Sequence, residues 1–412
     1  MSTHVGGAPE MLSACYPKAR DDLGVWPLGA ETGSRWCLGS AEVDRYVQIP
    51  RRFCQAALTI VGLLDGTRTL EQVEDEVGRL FPGVTPGHVQ RLYSLLLSNG
   101  LLLSPTPARL AQSEVRQLSI EIGSLPLGRL AAGLRPVLKA PIWWLLNAIG
   151  LGLVIWAVAM LWLHPELLSL HVVQLADSYT LGFLLSLALS GFVVLWHEIA
   201  HGLAAIRYGL LPRALHLMLY AGLAPLVYLE THGLYTIPRR RRLAIWLAGP
   251  WGNLCAAAAL VVVLATFPLP LLTRQLLWKL VLVNLLFVVT NLSPFMPTDG
   301  YFILCNLLGQ FHLRTRLWRQ LCAFIGERQR GTVRLGLLAW GYVLVSLLTM
   351  LAAAGYWLWW LWNVCLELTG RAPGSPLVHW LAGLACPLAF GLLVALISWR
   401  RRQLLARTRA SS

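Results

Sequence analysis

The chain has 412 residues, 56% of them apolar and only 13% charged, with a mean hydropathy of +0.59. Soluble domains carry about 25% charged residues, so this composition excludes a disordered chain, a collagen-like repeat and a small disulfide scaffold, and it points to the membrane. The formal charge of +14 suggests a nucleic-acid binder only until it is located: residues 1–139 hold 14 basic and 13 acidic residues, whereas 140–412 hold 20 and 7. The excess sits on the apolar part, where loop charge sets membrane orientation, and no nucleic-acid partner is expected.

The N-terminal stretch MSTHVGGAPEMLSACYPKARDD has no basic-then-apolar signal region, so the N-terminus is expected to stay where it is made. Phe53, Ala56, Ala57, Ile60, Val61 and Leu64 recur at helical spacing, closed by Asp65-Gly66. Thr69 then reads as an N-cap with Gln72 three residues on, opening a second helix through Leu70, Val73 and Val77. Thr85-Pro86 starts a third that Asn99-Gly100 ends, and Leu101–Leu103 reads as a short strand. Three helices, a glycine turn and a strand fit a small α+β, winged-helix-like domain over 1–104, followed by a linker and interfacial segment over 105–139.

From 140 to 412 the chain reads as an α-helical polytopic membrane domain. A bilayer core of about 30 Å needs about 20 apolar residues in helix. The candidate spans are 140–163, 180–202, 243–267, 276–295, 335–364 and 377–399, six in all. The stretch 215–229 carries Gly222 and Pro225 and is short, so it reads as a re-entrant or hairpin segment. The segments 207–242, 314–334 and 400–409 carry 17 basic residues together, while the alternate loops carry Arg274 and Arg371. That split puts the basic loops, both termini and the N-terminal domain in the cytoplasm. The eight cysteines show no CxxC pair and read as reduced, packed as small apolar residues. The run Arg239–Arg242 reads as a topology and lipid-headgroup patch. His216 and His232, flanking the short segment, read as solvated loop residues.

The sharpest chemical feature is WHEIAH. His197 and His201, at i and i+4, project from one helix face and can share a metal, with Glu198 beside them to take a proton from bound water. Zinc needs a third protein ligand and one position for water. Seven acidic residues follow residue 139, and two of them are candidates. Glu230 lies 29 residues after His201, a separation some soluble zinc peptidases use, though at the end of an apolar hairpin. Asp299, in NLSPFMPTDGY, follows a span that runs outside-to-inside like the one carrying His201, so the topology brings the two to the same leaflet.

His197-Glu198-x-x-His201, with Asn291-x-x-Pro294-x-x-Pro297-x-Asp299-Gly300, resembles the paired signature of the site-2 protease family, and LAGPWGN, with Gly249, Pro250 and Asn253, resembles the AGPxxN stretch between the two. The resemblance covers roughly residues 180–310. It implies an intramembrane zinc metalloendopeptidase in which His197, His201 and Asp299 bind zinc, Glu198 is the catalytic base, and Asn253 and Asn291 contact substrate. One departure is Tyr301, where many members carry a second glycine. The run IVGLLDGTRTLEQVEDEV, a helix and NGLLL are similar to PqqD-like peptide-recognition domains, which implies recruitment of a precursor's leader peptide. The expected setting is a bacterial inner membrane, with the bilayer and a peptide or membrane-protein substrate as partners. A non-proteolytic export or immunity subunit, or cleavage of a membrane-bound regulator, are the alternatives. A metal transporter lacks a chain of polar residues through the spans.

Overall fold

The computed structural model describes residues 16–28, 35–103, 119–165, 179–220, 224–295 and 298–309, with scattered positions between 311 and 366. An antiparallel sheet opens the chain, β1 (Leu23–Pro27), β2 (Arg35–Ser40) and β3 (Arg45–Pro50), in the order β1-β2-β3. Three helices follow: α1 (Cys54–Leu63), α2 (Leu70–Leu80) and α3 (Pro86–Ser98). The helices fall where their periodicity places them. Thr69 Oγ1 accepts the Gln72 amide at 3.3 Å and Gln72 Oε1 accepts the Thr69 amide at 2.9 Å, so the capping box is complete. Leu38, Val47, Ile49, Ile60, Val73, Val77, Leu92 and Leu96 close one core between sheet and helices.

The sequence reading differs from the structure on the strands. Leu102 makes only an isolated bridge to Ala19, and the sheet of this unit precedes the helices instead. Its strands are short, β1 ends in proline and β2 carries Gly39, so alternation is weak except in β3, where Val47 and Ile49 point inward.

A second antiparallel sheet, β4-β5-β6, joins β4 (Ser119–Pro126) to the hairpin β5 (Ala214–Tyr220) and β6 (Ala224–Glu230). The segment 215–229 is thus a strand pair, and its third strand comes from the stretch expected to be linker. After β4 come a short helix α4 (Gly128–Leu134) and four helices long and apolar enough to cross a membrane: α5 (Ala140–Leu163), α6 (Tyr179–Arg207), α7 (Arg239–Thr266) and α8 (Leu271–Leu292). They answer the first four expected spans. The expected span 377–399 and most of 335–364 lie outside the described residues. Helix α5 presents Trp144, Leu145, Ile155 and Trp162 outward, as a lipid-facing helix does. Helix α7 is the most buried of the four and touches α5, α6 and α8. A short helix, α9 (Asp299–Leu308), follows α8.

Alternating direction puts the start of α5, the end of α6, the start of α7 and the end of α8 at one end of the bundle. The N-terminal unit docks there. Arg242, on the first turn of α7 and expected at the lipid headgroups, is fully buried: its Nη2 donates to the Leu28 and Pro27 carbonyls at 2.7 and 3.1 Å, its Nε to Asn306 Oδ1 at 3.0 Å and its Nη1 to the Tyr235 carbonyl at 3.3 Å. A guanidinium survives burial when its donors are satisfied in this way. The Gly233 amide donates to Asp44 Oδ1 at 3.1 Å, and His232 Nδ1 stands 2.7 Å from the Glu42 carbonyl.

Candidate metal centre

Helix α6 carries His197, Glu198 and His201 in its last three turns. With a rise of 1.5 Å per residue, His197 lies about 15 Å, and His201 about 9 Å, from the end of the helix at Arg207. Asp299 reaches them as the first residue of α9, where Thr298 Oγ1 donates to the carbonyls of Ser293 and Thr290 at 3.2 and 3.3 Å and so fixes the turn from α8. A Cβ on Gly300 would overlap the Leu292 carbonyl, so the residue after Asp299 has no room for a side chain. Tyr301, the departure from the family pattern, is buried, and its hydroxyl accepts the Arg314 amide at 3.1 Å.

Three ligand atoms converge. His197 Nε2 lies 3.0 Å from His201 Nε2 and 3.0 Å from Asp299 Oδ2, and the third edge, His201 Nε2 to Asp299 Oδ2, is 3.3 Å. The imidazole planes cross at 83°. Zinc bonds of about 2.0–2.1 Å in a tetrahedron give edges of about 3.3–3.4 Å, so the triangle is close to one face of a zinc tetrahedron. The side chains are 6, 13 and 14% exposed, which leaves the fourth corner for a small ligand. Among the described residues this is the one group of three or more metal-binding side chains. Glu230, the other sequence candidate for third ligand, is elsewhere: its carboxylate meets His232 Nε2 at 3.0 Å and His216 Nε2 at 3.2 Å.

The neighbours of the imidazoles suit the same donor set. His201 Nδ1 donates to the Ile245 carbonyl at 2.7 Å, which fixes the tautomer and turns the Nε2 lone pair toward Asp299. Asn253, fully buried on α7, sets its amide 3.2 Å from His197 Nδ1, and its Oδ1 has no partner among the described residues. Turning this amide over puts Oδ1 on the Nδ1–H and frees Nε2 for a metal. Gly249, one turn before Asn253, faces both Nε2 atoms. A Cβ there would stand 2.5 Å from His197 Nε2 and still closer to His201 Nε2. The AGPWGN stretch is therefore the wall of the centre, a reason for its glycine that spacing alone does not supply. Asn291 is turned to its own helix, donating to the Phe287 carbonyl at 3.0 Å.

Glu198 Oε2 accepts the Leu229 amide at 3.0 Å. Leu229, in β6, pairs with Leu215 in β5, and β6 is the outer strand of the β4-β5-β6 sheet among the described residues, so this amide points away from β5 to Glu198. His216, expected to be solvated, is buried between Glu121 Oε1 at 2.9 Å and Glu230 Oε2 at 3.2 Å, tying β4, β5 and β6 together.

Over 132 residues the chain is 30% identical to a protein of Synechocystis sp. named "Putative zinc metalloprotease sll0528", a match that covers 32% of this chain. The chain spans a third, 33%, of the length of that relative. No family profile matches the chain, and no solved structure matches it.

Proposed function

We propose that the chain is a membrane-embedded zinc-dependent endopeptidase of the site-2 type, seated in a bacterial inner membrane with both termini cytoplasmic, and acting on a precursor peptide recruited by its N-terminal unit. The observation that carries this is the meeting of His197, His201 and Asp299 at tetrahedral spacing, with Glu198 beside them and a strand edge leading in. The name borne by the Synechocystis relative and the four apolar helices support the same reading.

In this reading zinc is held by His197 Nε2, His201 Nε2 and an Asp299 carboxylate oxygen, and when bound it supplies Lewis acidity to a water and to the scissile carbonyl. Glu198 takes the proton of the attacking water on a carboxylate oxygen and returns it to the leaving amine. A helical substrate hides its carbonyls in its own hydrogen bonds, so the segment to be cut must be extended. The outward edge of β6 offers backbone pairing to such a segment, and the Leu229 amide puts that edge within hydrogen-bond reach of Glu198. In the N-terminal unit β3 is likewise an edge strand, suited to adding a leader peptide. The docked position of that unit, at the basic end of the bundle with Arg207, Arg213 and Arg239–Arg241, supports a cytoplasmic site.

The test is Glu198→Gln. Zinc content should match the parent, while peptide ends found in membranes of cells carrying the parent disappear. Identical sets of peptide ends in both, with zinc bound, would leave a non-proteolytic binding or export subunit as the reading.

A further inference from the structure

A cavity of about 370 Å³ opens at the end of the bundle where the N-terminal unit docks, away from the metal ligands. Among the described residues its charged lining is basic: Arg135 after α4, Lys139 before α5, Arg207 at the end of α6 and Arg241 in the first turn of α7, with Tyr208 beside them. Among the described residues no carboxylate lines it. Four cations drawn from two helices and a connector repel one another, and such an arrangement is stable when an anion sits among them. Two further observations point to that anion. Among the described residues Arg207 Nε is buried without a hydrogen-bond partner, and its guanidinium lies 5.8 Å from the Tyr208 ring centre. Helices α5 and α7 both begin at this end of the bundle without a side-chain cap, so the positive ends of their dipoles lie near it.

We infer that this cavity binds a phosphate-bearing anion, the headgroup of an anionic phospholipid. Three of the four cations are arginines, whose forks take phosphate oxygens in pairs, and the lysine adds a point charge suited to the same group. The depth fits a headgroup, because Lys139, Arg207 and Arg241 stand at the ends of membrane-crossing helices. Leu138 and Ile206 supply an apolar wall for the glycerol and the upper acyl chain. The volume lies within the range of small-ligand sites, about 300–1,000 Å³. The inference rests on the membrane-spanning helices and is independent of peptide cleavage.

The experiment uses the full chain in mild detergent, titrated separately with phosphatidylglycerol, phosphatidylcholine and inorganic phosphate, with thermal unfolding and native mass spectrometry as readouts. Phosphatidylglycerol should raise Tm by about 2–4 °C and remain as a single bound lipid, and phosphatidylcholine should do neither. The double variant Arg135→Gln/Lys139→Gln should bind phosphatidylglycerol about thirtyfold more weakly, roughly fivefold per charge removed, with its lipid-free Tm close to that of the parent. Arg52→Gln/Arg91→Gln, which removes two exposed charges from the N-terminal unit, should bind as the parent does. A full shift from inorganic phosphate, abolished in the first double variant, would keep the anion site and make free phosphate its source. Equal stabilisation by phosphatidylcholine, or a phosphatidylglycerol shift that survives the first double variant, would overturn the inference and leave a solvated basic patch.

Discussion

Gly249→Ala is the smallest change that should empty the metal centre. The added Cβ would stand 2.5 Å from His197 Nε2 and 2.6 Å from its Cε1, and closer still to His201 Nε2. Ordinary contact begins near 3.4 Å, so relief requires a movement of about 0.9 Å by the imidazoles or by α7. Neither imidazole can step aside freely, because His201 Nδ1 is held by the Ile245 carbonyl and His197 Nδ1 by Asn253, both on the same helix as Gly249. Metal bonds tolerate about 0.2 Å, and a misplacement near 1 Å costs on the order of 100-fold in a site of this kind. Zinc affinity should therefore fall about 100-fold, measured by competition with a chromogenic chelator and by metal per chain after dialysis. Gly191→Ala is the control: it lies on α6 with the histidines, and its Cβ would meet nothing within 4 Å. If Gly249→Ala holds zinc as firmly as Gly191→Ala, the wall described for the centre is wrong.

Asp299→Ala should weaken zinc binding severely and Glu230→Ala should leave it unchanged; equal loss in both would reopen the choice of third ligand. Arg242→Gln leaves the Pro27 and Leu28 carbonyls without their cationic donor, a loss of roughly 3 kcal/mol or more, and limited proteolysis should release the N-terminal unit sooner than in the parent. Unchanged protection would show that Arg242 does not pin that unit. The His216 network should give the hairpin a pH window. Burial opposes the charge on His216, but its hydrogen bonds to Glu121 and Glu230 outweigh this and raise it above its ordinary 6.5. Burial likewise opposes ionisation of Glu230, and His216 and His232 hold it below its ordinary 4.5. The His216 contribution is complete below pH 6.5 and lost as pH rises through its elevated value, and that of Glu230 is complete above pH 4.5 and lost as pH falls through its depressed one. Hydrogen-exchange protection factors in β5 and β6 should thus be greatest between pH 4.5 and 6.5, and a flat profile would refute the network's role.

What could be read from the sequence follows how local each signal is. His197 and His201 stand one turn apart on one helix, so a four-residue spacing announces them. Asp299 is 102 residues from His197, and only the alternation of spans brought it near. The capping box at Thr69 and the ends of α3 were legible because caps are written in four residues. The sheet β1-β2-β3 was not, since strands this short leave little alternation to see. Strand β4 was hidden for another reason: SIEIG alternates, but its partner lies about 95 residues away, beyond two membrane-length helices. His216, Glu121 and Glu230 meet only once that pairing forms, so each alone read as an ordinary loop residue. Arg242 read as a surface charge because nothing in a run of four arginines distinguishes the one that turns inward.

That inward arginine also sets a dimension. Arg242 grips the N-terminal unit and Ile245, three residues further along the same helix, steers His201. The clamp on the N-terminal unit and the support of His201 are therefore mounted on one helix, about 4.5 Å apart along its axis. In the proposed function, a precursor peptide held by the N-terminal unit would span a constant distance before reaching Glu198. Lengthening or shortening it ahead of the cut would move the cleaved bond by as many residues, as stock is measured against a fixed stop.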